Sequence, residues 1–129
     1  MLFLRKQEVL DIHTNLIEQF GGTHGIRDEG ALESALAAAE NRTFYENAGL
    51  HICAATYAYH LTQSHAFLDG NKRVAAAVAE IFIEINGARL DATDDEIVAL
   101  FLGIAAGNVS RNDVENFFTE RVVFNKKQP

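Results

Sequence analysis

Proline and cysteine are almost absent from this chain of 129 residues, and both absences narrow the possible structures. The one proline is Pro129, the last residue, so no predicted helix has a proline in its interior. The one cysteine, Cys53, excludes an internal disulfide and a cysteine-rich metal site. It lies in the apolar stretch 52–55, where we expect it to pack as a small buried hydrophobic residue.

Long apolar runs and an excess of positive charge are also missing. The sequence has no run of 18 apolar residues, so we expect no membrane span. Arg5 and Lys6 follow the apolar residues of the N-terminus, which is the reverse of the order in a signal peptide, and we expect a cytoplasmic protein. The formal net charge of −7 disfavours a helical DNA-binding domain, so we expect no direct nucleic-acid partner. Because no membrane span is predicted, we expect no membrane partner either.

Strand signals are scarce, whereas apolar residues recur at helical spacing along most of the chain. The sequence therefore predicts an all-α fold, a compact bundle of about six helices in a single domain spanning residues 1–129, with the fourth helix at its centre. The residues expected to face the core are Val9, Ile12, Leu16, Ile17 and Phe20; Leu32, Ala35, Leu36 and Ala39; several within 50–63; Val74, Ala77, Val78, Ile81, Phe82 and Ile85; Ile97, Phe101 and Ile104; and Val114, Phe117, Phe118 and Val122.

Capping residues mark three helix starts. Asp28 is expected to cap the second helix and Ser110 the sixth, while Thr93 and Glu96 form a capping box at the start of the fifth. His13 falls on the apolar face of the first helix, where core packing is a better interpretation than metal binding. The remaining histidines outside residues 65–73 show no metal-ligand spacing.

Residues 65–73 read His-Ala-Phe-Leu-Asp-Gly-Asn-Lys-Arg and lead directly into the fourth helix, which begins near Asn71. A helix N-terminus carries free N–H groups and the positive end of the helix dipole, so it attracts anions. Gly70 permits a sharp turn and a close approach of the backbone to a ligand. Lys72 and Arg73 stand where acidic residues are normally favoured, which indicates a bound anion such as a phosphate.

Two further side chains of this stretch suit phosphate chemistry. Asp69 could hold Mg²⁺, which binds a carboxylate together with phosphate oxygens, and His65 could accept a proton from an attacking hydroxyl near neutral pH. Phe67 is expected to anchor the loop in the core. A plainer interpretation stays open at this point, because Asp-Gly is a common turn and Asp69 or Asn71 could serve simply as an N-cap.

The pattern H-x-F-x-D-G-N-K-R resembles the signature of the Fic/Doc family in its Doc (death-on-curing) form. Residues 21–35 are similar to the early loop and helix of Doc-like toxins, and the resemblance covers almost the whole chain. It implies a Fic/Doc-like fold, and it places the flap that aligns a target segment at residues 42–49, the longest irregular connection that we predict. A plainer interpretation of this connection is that Phe44 and Tyr45 pack into the core. The roles that it implies are a general base at His65, a Mg²⁺ ligand at Asp69, a core anchor at Phe67, and a phosphate cradle formed by Gly70, Asn71, Lys72 and Arg73.

Two departures from the Fic pattern bear on the chemistry. Lys72 stands where Fic proteins have a glycine, and Ala76 stands where they have a second arginine. Similar changes in Doc-like proteins accompany transfer of the γ-phosphoryl group instead of AMP, so the resemblance favours a kinase. An AMP transferase and a catalytically silent nucleotide-binding module remain alternatives.

The resemblance also implies a biological setting. It indicates the toxin of a toxin–antitoxin pair, which would use ATP and Mg²⁺ to phosphorylate a threonine of elongation factor Tu and so block translation. Some Fic relatives carry an inhibitory helix of the form [S/T]-x-x-x-E-[G/N], which this sequence lacks. We therefore expect control in trans by a small Phd-like antitoxin, with a disordered segment that folds on binding.

Overall fold

The computed structural model describes residues 1–126, in which six helices and two short strands follow one another. The six helices contain most of these residues, and each strand has only three, which confirms the predicted all-α fold class. No helix in this part of the chain is both long and apolar enough to cross a membrane. The elements are α1 (Lys6–Phe20), α2 (Glu29–Glu46), α3 (Leu50–Gln63), α4 (Asn71–Ile85), β1 (Ala88–Leu90), α5 (Asp94–Ala106), α6 (Arg111–Arg121) and β2 (Val122–Phe124).

The predicted capping residues are confirmed at the starts of three helices. The Asp28 carboxylate accepts a hydrogen bond from the backbone N–H of Ala31 at the start of α2. The Thr93 hydroxyl and the Glu96 side chain form a reciprocal capping box on α5, and Ser110 forms another on α6. Each cap gives a partner to a backbone group that the helix itself leaves unpaired, which fixes where the helix begins.

The centre of the bundle is shared by α3 and α4, whereas the sequence had indicated α4 alone. Helix α3 packs against α2, α4, α5 and α6, while α4 also contacts α1 and β1. Small residues line the faces of both helices and let their backbones approach closely. Those that are fully buried are Ala54, Ala55 and Ala58 on α3, and Ala75 and Ala79 on α4.

Phe82 is the largest side chain that α4 contributes to the core. Its ring packs edge-on against Tyr57 at a centroid distance of 5.0 Å and stacks on Phe3 at 5.6 Å. The buried Tyr57 hydroxyl accepts a hydrogen bond from the backbone N–H of Leu4, and burial raises the pKa of Tyr57 to about 12. One aromatic cluster thus joins the N-terminal segment, α3 and α4.

The structure corrects the predicted end of the sixth helix, because Val122 belongs to strand β2 and not to α6. Strands β1 and β2 pair antiparallel, with Leu90 opposite Val122 and Ala88 opposite Phe124. The run Val122-Val123-Phe124 is β-branched and aromatic, a composition that favours strands. Val122 also falls at a helical interval from Phe118, which is why periodicity alone misassigned it.

Residues 42–46 were predicted as part of an irregular connection, and this prediction is wrong. Helix α2 continues to Glu46 and ends at Asn47, which adopts a left-handed conformation. The half-buried Arg42 supports the extension through ion pairs with Glu46 at 3.1 Å and with Glu115 of α6 at 3.3 Å. No glycine or proline interrupts this stretch, so nothing in the sequence ends the helix earlier.

Phe44 and Tyr45 neither plug the core nor lie on a loop beside the motif. Both rings are exposed, with 81% and 77% of their surfaces accessible. The start of α2 lies at the motif, since the backbone N–H of Asp28 donates to the carbonyl of Ala66. At about 1.5 Å per residue, Phe44 is roughly 24 Å farther along the helix axis. A flap at this position would therefore be far from the motif.

We expect Phe82→Ala to lower the free energy of unfolding by about 3–5 kcal/mol, because it leaves a cavity between α3 and α4. Phe44→Ala is the matched control, and its effect should stay within about 0.5 kcal/mol since the ring is exposed. Urea unfolding of both variants measures the difference. Equal losses of stability would contradict the burial pattern described above.

Candidate active site

The N-terminus of α4 presents unpaired backbone N–H groups at the surface. The first intrahelical bond runs from the N–H of Val74 to the carbonyl of Gly70, at 2.9 Å. The N–H groups of Asn71, Lys72 and Arg73 have no intrahelical acceptor, and none of them donates to another group in the part of the chain that the structure describes. Together with the helix dipole they form a site that favours an anion.

Gly70 precedes these groups in a left-handed conformation, with φ at +76°. A side chain at this position would be strained, and its Cβ would lie 3.2 Å from Cδ1 of Ile17 on α1. Glycine is thus required by the turn and also by the close approach of α1.

A pocket of about 380 Å³ opens in front of the helix terminus. One wall is formed by the motif and the following turn of α4, and the opposite wall by apolar side chains of α5. The lining residues are Asp69, Gly70, Asn71, Lys72, Arg73 and Ala76 on the motif side, and Ile97, Val98, Phe101 and Leu102 on α5. The structure therefore gathers five of the seven predicted site residues around one cavity.

The α5 wall was not recognised as part of the site in the sequence. Residues 97–106 contain no charged or polar side chain, so α5 is apolar all round beyond its acidic first turn. Ile97 and Phe101 were assigned to the core, but Val98 and Leu102 remain more than half exposed at 56% and 53%. An apolar helix that is only partly covered is the signal that could have indicated a binding surface.

The two cations of the motif differ in their surroundings. Neither Lys72 nor Arg73 forms a salt bridge within residues 1–126. Arg73 donates to the carbonyl of Gly21 at 3.3 Å, and its guanidinium lies 5.1 Å from the centre of the Phe20 ring. Phe20 was expected in the core, but it is exposed and supports Arg73 instead. Both positive charges remain available to an anion in the pocket.

Asp69 is held by two backbone donors. Its Oδ1 accepts from the N–H of Gly70 at 2.8 Å, and its Oδ2 accepts from the N–H of Thr23 at 3.0 Å. The hydrogen bonds from Thr23 and Gly70 lower the pKa of the Asp69 carboxyl, so it is ionised at neutral pH. Each oxygen accepts one of these hydrogen bonds and so keeps a further lone pair for a ligand.

The surroundings of Asp69 fit Mg²⁺ bound together with a phosphate. The described residues contain no cluster of three or more histidine, cysteine or acidic side chains that could hold a metal by themselves. Mg²⁺ usually takes one or two carboxylates, and the remaining positions go to water and phosphate oxygens. A single carboxylate beside an anion pocket is a donor set of this kind.

Asn71 directs its side chain back into the motif loop. Its Oδ1 accepts from the N–H of Phe67, and its Nδ2 donates to the carbonyl of Phe67, both at 3.0 Å. The Phe67 ring is buried, with 2% of its surface exposed. The amide side chain thus fixes the loop conformation, and the part of Asn71 left for a ligand is its backbone N–H.

His65 lies outside the pocket, at the exposed start of the motif loop. Its φ of +48° is left-handed, which is uncommon for a residue other than glycine. Nε of Arg27 donates to the His65 carbonyl at 2.7 Å and holds the backbone in this conformation. Backbone strain of this type persists where the surrounding contacts fix it, and it is frequent at functional sites.

The segment between α1 and α2 pairs with the motif loop along its whole length. The carbonyl of Ala66 accepts from the N–H groups of Arg27 and Asp28, and the N–H of Leu68 donates to the carbonyl of Gly25. The sequence indicates both segments but not their pairing. The signal was the density of glycines at 21, 22 and 25, which allows two backbones to approach closely.

Known proteins are similar in sequence to the part of the chain that contains this motif. A family model described as the Fic/DOC family matches residues 3–83, which include the whole motif. Over 115 residues the chain is 30% identical to "Protein kinase doc" of Escherichia phage P1, covering 88% of this chain and 90% of that protein. Over 78 residues it is 38% identical to "Toxin Doc" of Mycolicibacterium smegmatis, covering 59% of this chain and 60% of that protein.

We expect Gly22→Ala to destabilise the protein more than Gly21→Ala. Both glycines have positive φ values, at +122° and +87°, so each alanine carries backbone strain of about 1–3 kcal/mol. A Cβ at residue 22 would also lie 2.6 Å from Oδ2 of Asp69, whereas one at residue 21 would meet nothing within 4 Å. Urea unfolding measures both variants, and equal losses would mean that Asp69 is not held against this loop.

Proposed function

The chain belongs to the Fic/Doc family, and from this premise we propose that it is the toxin of a toxin–antitoxin pair and transfers the γ-phosphoryl group of ATP to a protein hydroxyl. The observation that carries the proposal is the α4 terminus, where unpaired N–H groups, Lys72 and Arg73 face one pocket beside the Asp69 carboxylate. The names of the two relatives, a protein kinase and a toxin, support the same activity.

ATP would bind with its phosphates at the α4 terminus. The backbone N–H groups of Asn71, Lys72 and Arg73 donate to phosphate oxygens, and Gly70 leaves room for their approach. Lys72 acts as a point charge, while the Arg73 guanidinium can contact two oxygens together. The apolar α5 wall excludes water on the far side of the pocket, which strengthens these interactions.

Asp69 would hold the metal ion at the edge of the same pocket. Mg²⁺, when bound, neutralises charge that develops on the phosphate oxygens during transfer. The backbone donors Thr23 and Gly70 fix the Asp69 carboxylate in its ionised form, so the ligand is oriented before the metal arrives.

His65 would serve as the general base. Its imidazole accepts the proton of the target hydroxyl while the hydroxyl oxygen forms a bond to the γ-phosphorus. The bond from that phosphorus to the oxygen bridging to the β-phosphate breaks, and ADP leaves with the electron pair. Phe67 and Asn71 keep the loop rigid, so the base stays in one place relative to the phosphates.

Lys72 and Ala76 favour phosphoryl transfer over AMP transfer. Both residues line the pocket. Lys72 fills space that a glycine leaves open in Fic proteins, and Ala76 offers no second guanidinium for the other end of the nucleotide. This remodelled pocket supports a reversed nucleotide that presents its γ-phosphorus, and not its α-phosphorus, to the base.

The proposed target is a threonine of elongation factor Tu in the cytoplasm, as in the Doc branch of the family. The proposed regulator is a separate Phd-like antitoxin, since the sequence lacks an inhibitory helix of the Fic type. A segment of the antitoxin would fold over the pocket and against the exposed Val98 and Leu102.

We expect purified elongation factor Tu to gain one phosphoryl group when it is incubated with this protein, ATP and Mg²⁺. The His65→Ala variant should lose at least about 100-fold in rate, because general-base catalysis contributes that much or more. His51→Ala is the matched control, since His51 lies at the opposite end of α3, roughly 18 Å away along the helix axis. Intact-protein mass spectrometry measures the modification.

The same spectra separate the alternatives. A gain of one adenylyl group would replace the kinase with an AMP transferase. Tight nucleotide binding without modification of any protein in a whole lysate would indicate a silent binding module. An His65→Ala variant as active as the wild type would remove His65 from the mechanism.

We expect the protein encoded by the neighbouring gene to bind this chain and to compete with nucleotide. Isothermal titration calorimetry should show a weaker apparent affinity for the partner when a non-hydrolysable ATP analogue saturates the pocket. Binding that is indifferent to the analogue would place the partner elsewhere on the surface, and no binding would contradict control by that protein.

A further inference from the structure

A buried histidine of α1, His13, contacts two residues of the motif. His13 has 3% of its surface exposed, and its ring stacks on Phe67 with a centroid distance of 3.9 Å and an interplanar angle of 10°. Its Nε2 lies 2.8 Å from the carbonyl oxygen of Asp69. The sequence predicted core packing for His13, and the structure adds a hydrogen bond to the residue that begins the phosphate site.

The direction of this hydrogen bond is fixed by its partner. A carbonyl oxygen only accepts, so Nε2 of His13 must carry the proton and donate it. The stack on Phe67 holds the ring plane, and within that plane Nε2 is directed at the Asp69 carbonyl. The Asp69 carbonyl is thus turned toward α1 and away from the pocket.

One peptide group links this carbonyl to the Asp69 carboxylate. The carbonyl of Asp69 and the N–H of Gly70 belong to the same planar trans peptide, in which they point in opposite directions. Since His13 holds the carbonyl on one side, the N–H is directed to the other, where it donates to Oδ1 of Asp69 at 2.8 Å. His13 therefore orients the carboxylate through the peptide plane.

If His13 no longer donated to it, the Asp69 carbonyl could accept a hydrogen bond from another group. In an α-helix the N–H of Arg73 bonds to the carbonyl four residues earlier, which is that of Asp69. Without the donor at residue 13, α4 could extend by this bond. It would consume an N–H group of the anion site, place a carbonyl oxygen at its edge and turn the Gly70 N–H away from the carboxylate.

We propose that His13 is a positioning residue of the phosphate and metal site: it holds the Asp69–Gly70 peptide so that the carbonyl is kept out of the pocket and the carboxylate faces it. The role in catalysis rests on the proposed function, whereas the role in the orientation of the peptide does not. His13 touches neither the phosphates nor the metal, and it acts through Asp69 and Gly70.

The test compares His13→Gln with His13→Met. The two side chains have nearly the same length and shape, and both lose the aromatic stack, but only glutamine offers an N–H donor to the Asp69 carbonyl. Two properties are measured in each: the ¹⁵N–¹H resonance of the Gly70 amide without nucleotide, and the affinity for a non-hydrolysable ATP analogue with Mg²⁺ by calorimetry. Thermal unfolding verifies that both variants fold.

We expect His13→Met to shift the Gly70 amide resonance and to weaken Mg²⁺–analogue binding by about 10-fold or more, as loss of a residue that orients a metal ligand does. His13→Gln should recover most of the wild-type resonance position and affinity. If His13→Met does not fold, His13→Phe keeps the stack without the donor and takes its place in the comparison with glutamine.

Two outcomes would distinguish failure of the positioning role of His13 from failure of the proposed function. Equal Gly70 resonances in the glutamine variant and the variant without a donor would overturn the positioning role, even if the wild type binds the analogue tightly. A wild type that binds no nucleotide would contradict the proposed function, while a Gly70 shift specific to loss of the donor would still establish how His13 holds the peptide.

Discussion

The close packing of α4 against α3 determines where the motif can act. Fully buried alanines on both helices bring their backbones together, and Phe82 fixes α4 against Tyr57 and Phe3. With the body of α4 immobilised, its first turn is held at the surface beside α5. The pocket exists because a buried helix ends where a second, apolar helix is only partly covered.

Polar groups around the motif divide into those that build the loop and those left for a ligand. The backbone of residues 65–68 is paired with residues 25–28, and the Asp69 carboxylate accepts from the N–H of Thr23. The Asn71 side chain binds the backbone N–H and the carbonyl of Phe67. These hydrogen bonds give protein partners to the polar backbone groups of the loop. Around the motif, the N–H groups of the first α4 turn have no acceptor within the described residues, and the charges of Lys72 and Arg73 form no ion pair there. All of these groups belong to residues that line the pocket.

The helices and much of the site could be predicted because their signals are local. Apolar spacing and the caps at Asp28, Thr93 and Ser110 depend on neighbours within a few residues, and so does the turn at Gly70. The error at Val122 arose because a helical interval and a strand-favouring composition coincide there. Residues 42–46 were misassigned although no residue among them ends a helix, and the ion pairs of Arg42 that extend α2 are not visible in the sequence pattern.

The unpredicted parts of the site depend on contacts between distant segments. Asn71 could have faced the ligand or the loop, and only the position of Phe67 decides between them. His13 is 56 residues from Asp69 in the chain, and Thr23 is 46 residues away. No periodicity encodes such pairs, because they follow from how α1 and the glycine-rich segment lie across the motif.

The exposure of His65 determines what kind of molecule can reach it. The residue stands at the outer start of the loop, while the pocket lined by Asp69 and its successors lies beyond it. If His65 is the base that we propose, a hydroxyl on the surface of a folded protein can approach it without unfolding, since the hydroxyl does not have to enter a cavity. A base at the bottom of a narrow cleft would favour small molecules and flexible chain ends. The geometry thus suits a large and structured substrate, whose own surface would have to close the site against water.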